Sequence, residues 1–333
     1  MKSSNLAGPV LIITSEPDPH ADEVIKHLAK KDIEVVRLNS NRLSAGMFIK
    51  YDMPPHRFAI ISGSTSYELV DFRSIWYRKP DFWWDDHEGL SDQDGLALEY
   101  KYQETKRLIE NLMFEAEKLG IYTISPLSTI DRARNRTLQL PVAQEAGMKV
   151  PASYIGSSIE EIERFVAEHP GAITKPLSSG NVNYGKYSSG FTTAQVDISY
   201  MKEHVRDIDY PIYIQEYIEK QSELRVTIVG SQVFACSIDT QSQPASRIDS
   251  RLADIYTLPH HKYELPSDIQ KACLHLCKKL GLKYAAIDLA ITPQAEFVFF
   301  EINANGQYLW IEELTNMPIS ATIASHLALR TAS

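Results

Sequence analysis

Residues 284–306 read YAAIDLAITPQAEFVFFEINANG. Two apolar runs flank a short polar stretch, and the second run ends in Glu301, Asn303, Asn305 and Gly306. Taken as a hairpin with a four-residue turn, Pro293–Glu296, the runs pair Thr292 with Phe297 and set Asp288 opposite Glu301. Directly opposed residues share a sheet face, and Asn303 joins them two positions on. The other face takes Ile287, Leu289, Ile291, Val298, Phe300 and Ile302 as core. Two opposed carboxylates repel, so either one holds a proton or a cation sits between them. All three donors are oxygens, which suits Mg²⁺ or Mn²⁺ rather than zinc. The competing account is a solvated strand face with two scattered acids, and a one-residue slip of register would separate the pair.

The surrounding chain has 333 residues, 44% hydrophobic and 23% charged, which suits two or three domains with filled cores. Its formal net charge of -9 argues against nucleic acid as the partner. No apolar run approaches a membrane span. The start, MKSSNLAGPVLIITSEPDP, has too short an apolar core for a signal peptide. Three cysteines, Cys236, Cys273 and Cys277, make no disulfide framework, so a reducing cytoplasm is expected.

The N-terminal third alternates strand and helix. VLIIT, the helical HADEVIKHLAKKD and IEVVRL suggest an open α/β layer with a parallel start. FAIIS, YELV and SIWYRKP read as further strands, residues 91–120 as a long helix ending in Gly, and IYTISP as another strand. A boundary near Pro126 follows. DRARNRTLQLPVAQEAGM then reads as one helix, SIEEIERFVAEHPG as a second, and AITKPL as a strand. Ser178–Gly190 is rich in Gly, Ser and Asn and is expected to be a mobile loop. ELRVTIVGSQVFACSID predicts a hairpin, SDIQKACLHLCKKLG a helix closed by Gly. The expected units are residues 1–125, 126–210 and 211–333.

A metal held by carboxylates needs an anion to act on. Lys175 sits at a strand end beside the Gly/Ser segment, where it can reach phosphate. Arg136 lies at a helix start, where the helix dipole does not favour a cation, which hints at an external anion. In SELRVTIVG, Glu223 and Arg225 share one face and Leu224, Val226 and Ile228 the other. That pair suits either a stabilising ion pair or a ribose hydroxyl and a phosphate.

With these residues in order, the chain resembles the ATP-grasp superfamily. The matching pieces are Asn135–Arg136, ITKP around Lys175, IQEYI from Ile214 to Ile218, ELRV from Glu223 to Val226, AAIDLAI with Asp288, and FEIN with Glu301 and Asn303. The resemblance implies an α/β and α+β fold: an N-terminal pre-ATP-grasp α/β domain and two α+β lobes enclosing ATP. It implies that Arg136 and Lys175 contact phosphates, although Lys is usual where Arg136 stands. It implies that Glu216, Tyr217 and Ile218 meet the adenine, that Glu223 holds the ribose, and that Asp288, Glu301 and Asn303 bind Mg²⁺, two ions being expected and Mn²⁺ an alternative.

The tail NGQYLWIEELTNMPIS, with IWYRKP, NRTLQL and RIDSR around Asp249 and Arg251, resembles the graspetide (microviridin-type) synthetases. Those enzymes join side-chain carboxylates of a precursor peptide to hydroxyls or amines within it. The resemblance implies a precursor-peptide partner and a homodimer. Activation of a carboxylate as an acyl phosphate needs cations at the transferring phosphoryl group, and Arg225 is the main catalytic candidate there. Arg251 is the second catalytic candidate; it and Arg78 could hold the peptide carboxylate or the acyl phosphate, and Asp249 stands with them on the substrate side. Another ATP-grasp carboxylate–amine ligase, such as a ribosomal-protein glutamate ligase or a dipeptide ligase with a small amino-acid substrate, and a silent ATP-binding scaffold are the alternatives.

Three features are assigned to structure instead. Cys273 and Cys277 at i, i+4 point to a buried helix face rather than a metal site. His260 and His261 read as solvated loop residues. The DFWWDDHEG stretch suits core packing at least as well as a grip on a peptide.

Overall fold

A computed structural model describes residues 8–44, 46–81, 92–178, 180–184, 187–204, 209–249 and 252–329. Most of DFWWDDHEG, and Arg251, therefore lie outside the described residues.

The N-terminal third holds a four-stranded parallel sheet in the order Val35–Asn39, Val10–Thr14, Ser74–Tyr77, Tyr122–Ile124. Val10–Thr14 is buried along its whole length, as expected of an apolar run covered on both faces. Helix Pro19–Ala29 follows it. Asp18 caps that helix by accepting from the His20 N–H, and Pro19 occupies its first turn. FAIIS and the first half of YELV do not extend the parallel layer. They lie in a separate three-stranded antiparallel sheet, Met47–Asp52, Arg57–Ser62 and Thr65–Glu68, and Leu69–Asp71 is a 3₁₀ turn.

The single helix expected after Pro126 is two, Leu127–Ala133 and Arg136–Glu145. Asn135 makes the break. Its side chain accepts from the Thr137 N–H at 3.1 Å, capping the second helix and leaving Arg136 as its first residue. A four-stranded sheet follows in the order Ala194–Gln195, Ile173–Thr174, Ile212–Gln215, Ser153–Gly156. The segment expected as an irregular loop instead contains an antiparallel pair, Asn181–Tyr184 with Tyr187–Gly190. Its Gly and Ser content masked a strand alternation short enough to be read as loop.

The C-terminal sheet is antiparallel, in the order His260–Lys262, Gln232–Ile238, Ser222–Val229, Tyr284–Ile291, Phe297–Asn303. Leu224, Val226, Ile228, Ile287 and Leu289 pack on helix Ser267–Leu280, which buries Ala272, Cys273, Leu276, Cys277 and Leu280. Each buried Leu, Ile or Val among them contributes about 1.5–3 kcal/mol by leaving water. Gly281, at φ 74°, ends the helix in the left-handed region where Gly carries no Cβ penalty. His260 corrects an expectation. It lies on the edge strand, half-buried, with its ring edge-on to Trp310 at 5.1 Å, while His261 is exposed.

The decisive hairpin has a different turn from the one expected. Ile291 pairs with Phe297 and Leu289 with Phe299, so the ladder starts one residue earlier. A bulge between Leu289 and Asp288 then restores the phase: Asp288 faces Glu301, Ile287 faces Ile302 and Ala286 faces Asn303. Phe299, not Phe300, is therefore the core residue, fully buried against the cluster that holds Leu289. Phe300 is only partly buried, with the Lys220 ammonium 5.8 Å from its ring centroid.

Candidate functional site

Strand pairing puts three charged residues in one cross-strand row. Arg225 lies beside Asp288, and Asp288 beside Glu301. Arg225 Nη1 donates to both Asp288 oxygens, at 2.9 and 2.8 Å, and its Nη2 donates to the Gln307 carbonyl at 3.0 Å. Arg136 Nη1 reaches Glu301 Oε2 at 2.6 Å from the first turn of its helix. Each carboxylate thus has its own arginine.

That second pairing depends on Gln139, which the sequence reading missed. Its Nε2 donates to the carbonyls of Ala133, at 2.8 Å, and Ile302, at 3.0 Å. Its Oε1 accepts from the Ile302 N–H at 3.2 Å. One buried amide therefore satisfies both sides of the residue after Glu301 and fixes the Arg136 helix against the strand. The only available signal was a polar residue on the buried stripe of a helix.

The electrostatics follow from burial and neighbours. Burial pushes the Asp288 carboxyl up to about 6; Arg225 opposes the shift, while Glu301 and Glu223 reinforce it. Burial also pushes Glu301 upward, but Arg136, Lys175 and Arg225 outweigh it and hold Glu301 below its ordinary value. Lys175 thus acts on this site through space. Its ammonium lies 5.2 Å from the Tyr213 ring centroid, and its N–H donates to the Tyr213 carbonyl at 3.2 Å.

Asn303 ends the row. It is exposed, and its Oδ1 accepts from the Asn305 N–H at 3.0 Å, an Asx turn that closes the strand. Asp288, Glu301 and Asn303 are hard oxygen donors, and a divalent cation among them would offset the burial and the Glu301 repulsion that lift Asp288. The donor set therefore fits Mg²⁺.

Glu223 accepts from Lys220 Nζ, a buried lysine also unanticipated from sequence. A cavity of about 540 Å³ opens beside it, lined by Tyr217, Glu219, Lys220, Gln241 and Arg247. The Glu216 carboxylate is turned away, accepting from the Ala152 N–H at 3.1 Å, and its own N–H donates to the Ala152 carbonyl. Tyr217 and Ile218 follow in the linker between the two sheets, outside regular structure.

Two further residues stand apart from the row. Asp249 is buried and accepts from the Thr193 N–H at 3.0 Å. Arg78 is buried, donates from Nη1 to the Asn305 carbonyl at 2.6 Å, and lines a second cavity of about 430 Å³ with Asp18, His20, Gln307 and Trp310. The fold thus gathers Arg136, Lys175, Glu223, Arg225, Asp288, Glu301 and Asn303, and sets Arg78 one backbone segment behind them.

The profile of the RimK-like ATP-grasp domain matches residues 133–327. Human (Homo sapiens) N-acetylaspartylglutamate synthase A is 22% identical over 218 residues, covering 63% of the chain and 53% of that protein. The chain thus spans about half the length of this relative. Among solved structures, the macrocyclase MdnC from Microcystis aeruginosa MRC, bound with precursor peptide MdnA, superposes with a TM-score of 0.82. Identity is 28%, over 96% of this chain and 98% of MdnC. A RiPP-associated ATP-grasp ligase from Chryseobacterium gregarium, in complex with ADP and a leader and core peptide, gives a TM-score of 0.81 at 27% identity, over 96% of both chains.

Proposed function

The chain belongs to the RimK-like ATP-grasp family of ligases, and on that premise we propose that it macrocyclises a ribosomal precursor peptide. Asp or Glu side chains of the peptide are activated by ATP and joined to hydroxyls or amines of the same peptide, giving ω-ester or ω-amide rings. The observation that carries this is the extent of the likeness. The macrocyclase MdnC, bound with a precursor peptide, superposes over 96% of the chain and 98% of its own length at 28% identity, which supports a peptide as substrate.

In the first step a substrate carboxylate oxygen attacks the γ-phosphorus of ATP. The bond to the β–γ bridging oxygen breaks and ADP leaves, giving an acyl phosphate. In the second a hydroxyl or amine attacks the acyl carbon, loses its proton, and expels phosphate. Arg225 offsets charge on the transferring phosphoryl group, and Arg136 and Lys175 hold the phosphates. Glu223 takes the ribose, and the backbone at Glu216, Tyr217 and Ile218 the adenine. Asp288, Glu301 and Asn303 would hold Mg²⁺, two ions in this proposal, which supplies charge neutralisation at the β and γ oxygens. Arg78, Asp249 and Arg251 are assigned to the peptide side. A homodimer acting in the cytoplasm completes the proposal; among the described residues no helix is long and apolar enough to cross a membrane.

Incubation of the protein with short Thr/Ser- and Asp/Glu-rich peptides encoded beside its gene, with ATP and Mg²⁺, is expected to remove one water mass per ring. Unchanged peptide masses together with ATP turnover on small acidic amino acids would replace this reading by a carboxylate–amine ligase of small substrates. The sequence match to N-acetylaspartylglutamate synthase A favours that second reading.

A further inference from the structure

Four consecutive residues behind the charged row, Asn305 to Tyr308, have their backbone held by four side chains from four parts of the fold. Arg78 donates to the Asn305 carbonyl at 2.6 Å. The Tyr284 hydroxyl donates to the Gly306 carbonyl at 2.6 Å. Arg225 Nη2 donates to the Gln307 carbonyl at 3.0 Å. The Tyr308 N–H donates to His20 Nε2 at 3.2 Å. The Gln307 carbonyl is the one partner that Arg225 has on this strap, so the strap's position sets where the guanidinium lies over Asp288.

His20 is itself oriented. Accepting through Nε2 requires the neutral ring with its proton on Nδ1, and Nδ1 faces Asp18 Oδ1 at 3.3 Å. Asp18 accepts in turn from the Thr14 hydroxyl at 2.5 Å and from the His20 N–H at 3.1 Å. The ring also packs edge-on against Tyr308, with centroids 5.0 Å apart. This chain of contacts starts at the end of the first strand and finishes at the phosphoryl-transfer arginine.

We propose that Asp18 and His20 are positioning residues for the ligase reaction, acting from the N-terminal sheet through the 305–308 strap on Arg225. The proposal rests on Arg225 serving phosphoryl transfer, as proposed above. It gives the N-terminal unit a direct part in aligning the site, because a group misplaced by a fraction of an ångström loses much of its effect on a transition state.

The test uses the full-length protein labelled with ¹⁵N-arginine, with the Arg225 guanidinium signal assigned by its loss in Arg225→Lys. His20→Ala is expected to shift or broaden that signal and to lower kcat for MgATP-dependent phosphate release about tenfold at nearly constant KM for MgATP. His20→Gln, whose side-chain oxygen can accept from the Tyr308 N–H, is expected to restore the signal and bring kcat to within about threefold of wild type. An Arg225 signal unchanged in His20→Ala overturns the proposal. So does an equal loss in His20→Ala and His20→Gln when both melt like wild type. The guanidinium signal reports on the strap whichever peptide or amino acid is the substrate, so it separates failure of this proposal from failure of the macrocyclase reading.

Discussion

The two faces of the C-terminal sheet are built from the same three strands and obey different rules. On one, Leu224, Val226, Ile287 and Leu289 press on helix Ser267–Leu280, and Phe299 joins the same apolar cluster. On the other, one residue away along the first two strands and across the bulge on the third, Arg225, Asp288 and Glu301 form a row of charge. The apolar face stabilises the fold by area and fit, so its members are exchangeable at modest cost. The charged face contributes little to stability, since burial works against Asp288 and the arginines offset it. On the proposed function its members are fixed by chemistry, and an isosteric change there is expected to be drastic.

Substitutions should divide along that line. Glu301→Gln keeps shape and removes one charge; turnover is expected to fall at least about a thousandfold, with a stability loss well below that of a core truncation. Normal peptide processing in this variant would break the contrast. Phe299→Ala is the mirror case. It should cost about 3–5 kcal/mol in denaturant unfolding while kcat of the folded fraction stays near wild type. Phe300→Ala should cost clearly less, and equal losses would undo the bulged register.

Gly306→Ala lies on the seam between structure and chemistry. An added Cβ would meet the Ala286 Cβ at 2.3 Å and Arg225 Nη2 at 2.7 Å. Activity should drop about tenfold or more, and a larger effect on kcat than on KM would identify displacement of Arg225 as the cause. The smallest effect concerns pH. Burial holds His20 below its ordinary value of 6.5, against the pull of Asp18. The unfolded chain then binds the proton more readily, so stability should fall as pH drops below about 6.5. His20→Gln should flatten that slope, measured as the midpoint of denaturant unfolding against pH.

Much of the charged row was legible because strand alternation is local. Alternation and an assumed turn set Asp288 with Glu301 on one face, and alternation alone set Glu223 with Arg225 on a face of their own strand; that the two faces are one was shown only by the fold. The pairing of Asp288 with Glu301 was nevertheless reached through a turn one residue too short, and the bulge before Asp288 cancelled the error. Bulges leave no clear mark in a single sequence. The Asn135 break was visible in principle, since Asn is a strong helix cap, but the apolar spacing on either side continues without interruption. Gln139 and His20 could not be found this way. Each acts on backbone 163 and 288 residues distant, and a buried polar side chain declares its partner only when the chain is folded.

The amide of Gln139 has a mechanical meaning as well. It holds helix Arg136–Glu145 to the Glu301 strand, and the Phe299 N–H adds a bond to the Lys149 carbonyl at 2.8 Å. Residues up to Lys149 therefore ride with the C-terminal sheet, and any hinge that lets the Ser153–Gln215 sheet swing must lie beyond that point. In such a motion Arg136 would travel as fixed cargo with Glu301, whereas Lys175 would move with the Ser153–Gln215 sheet. The two cations proposed to hold the phosphates thus stand on different parts of the fold, and the gap between them would gauge any closure of one part on the other.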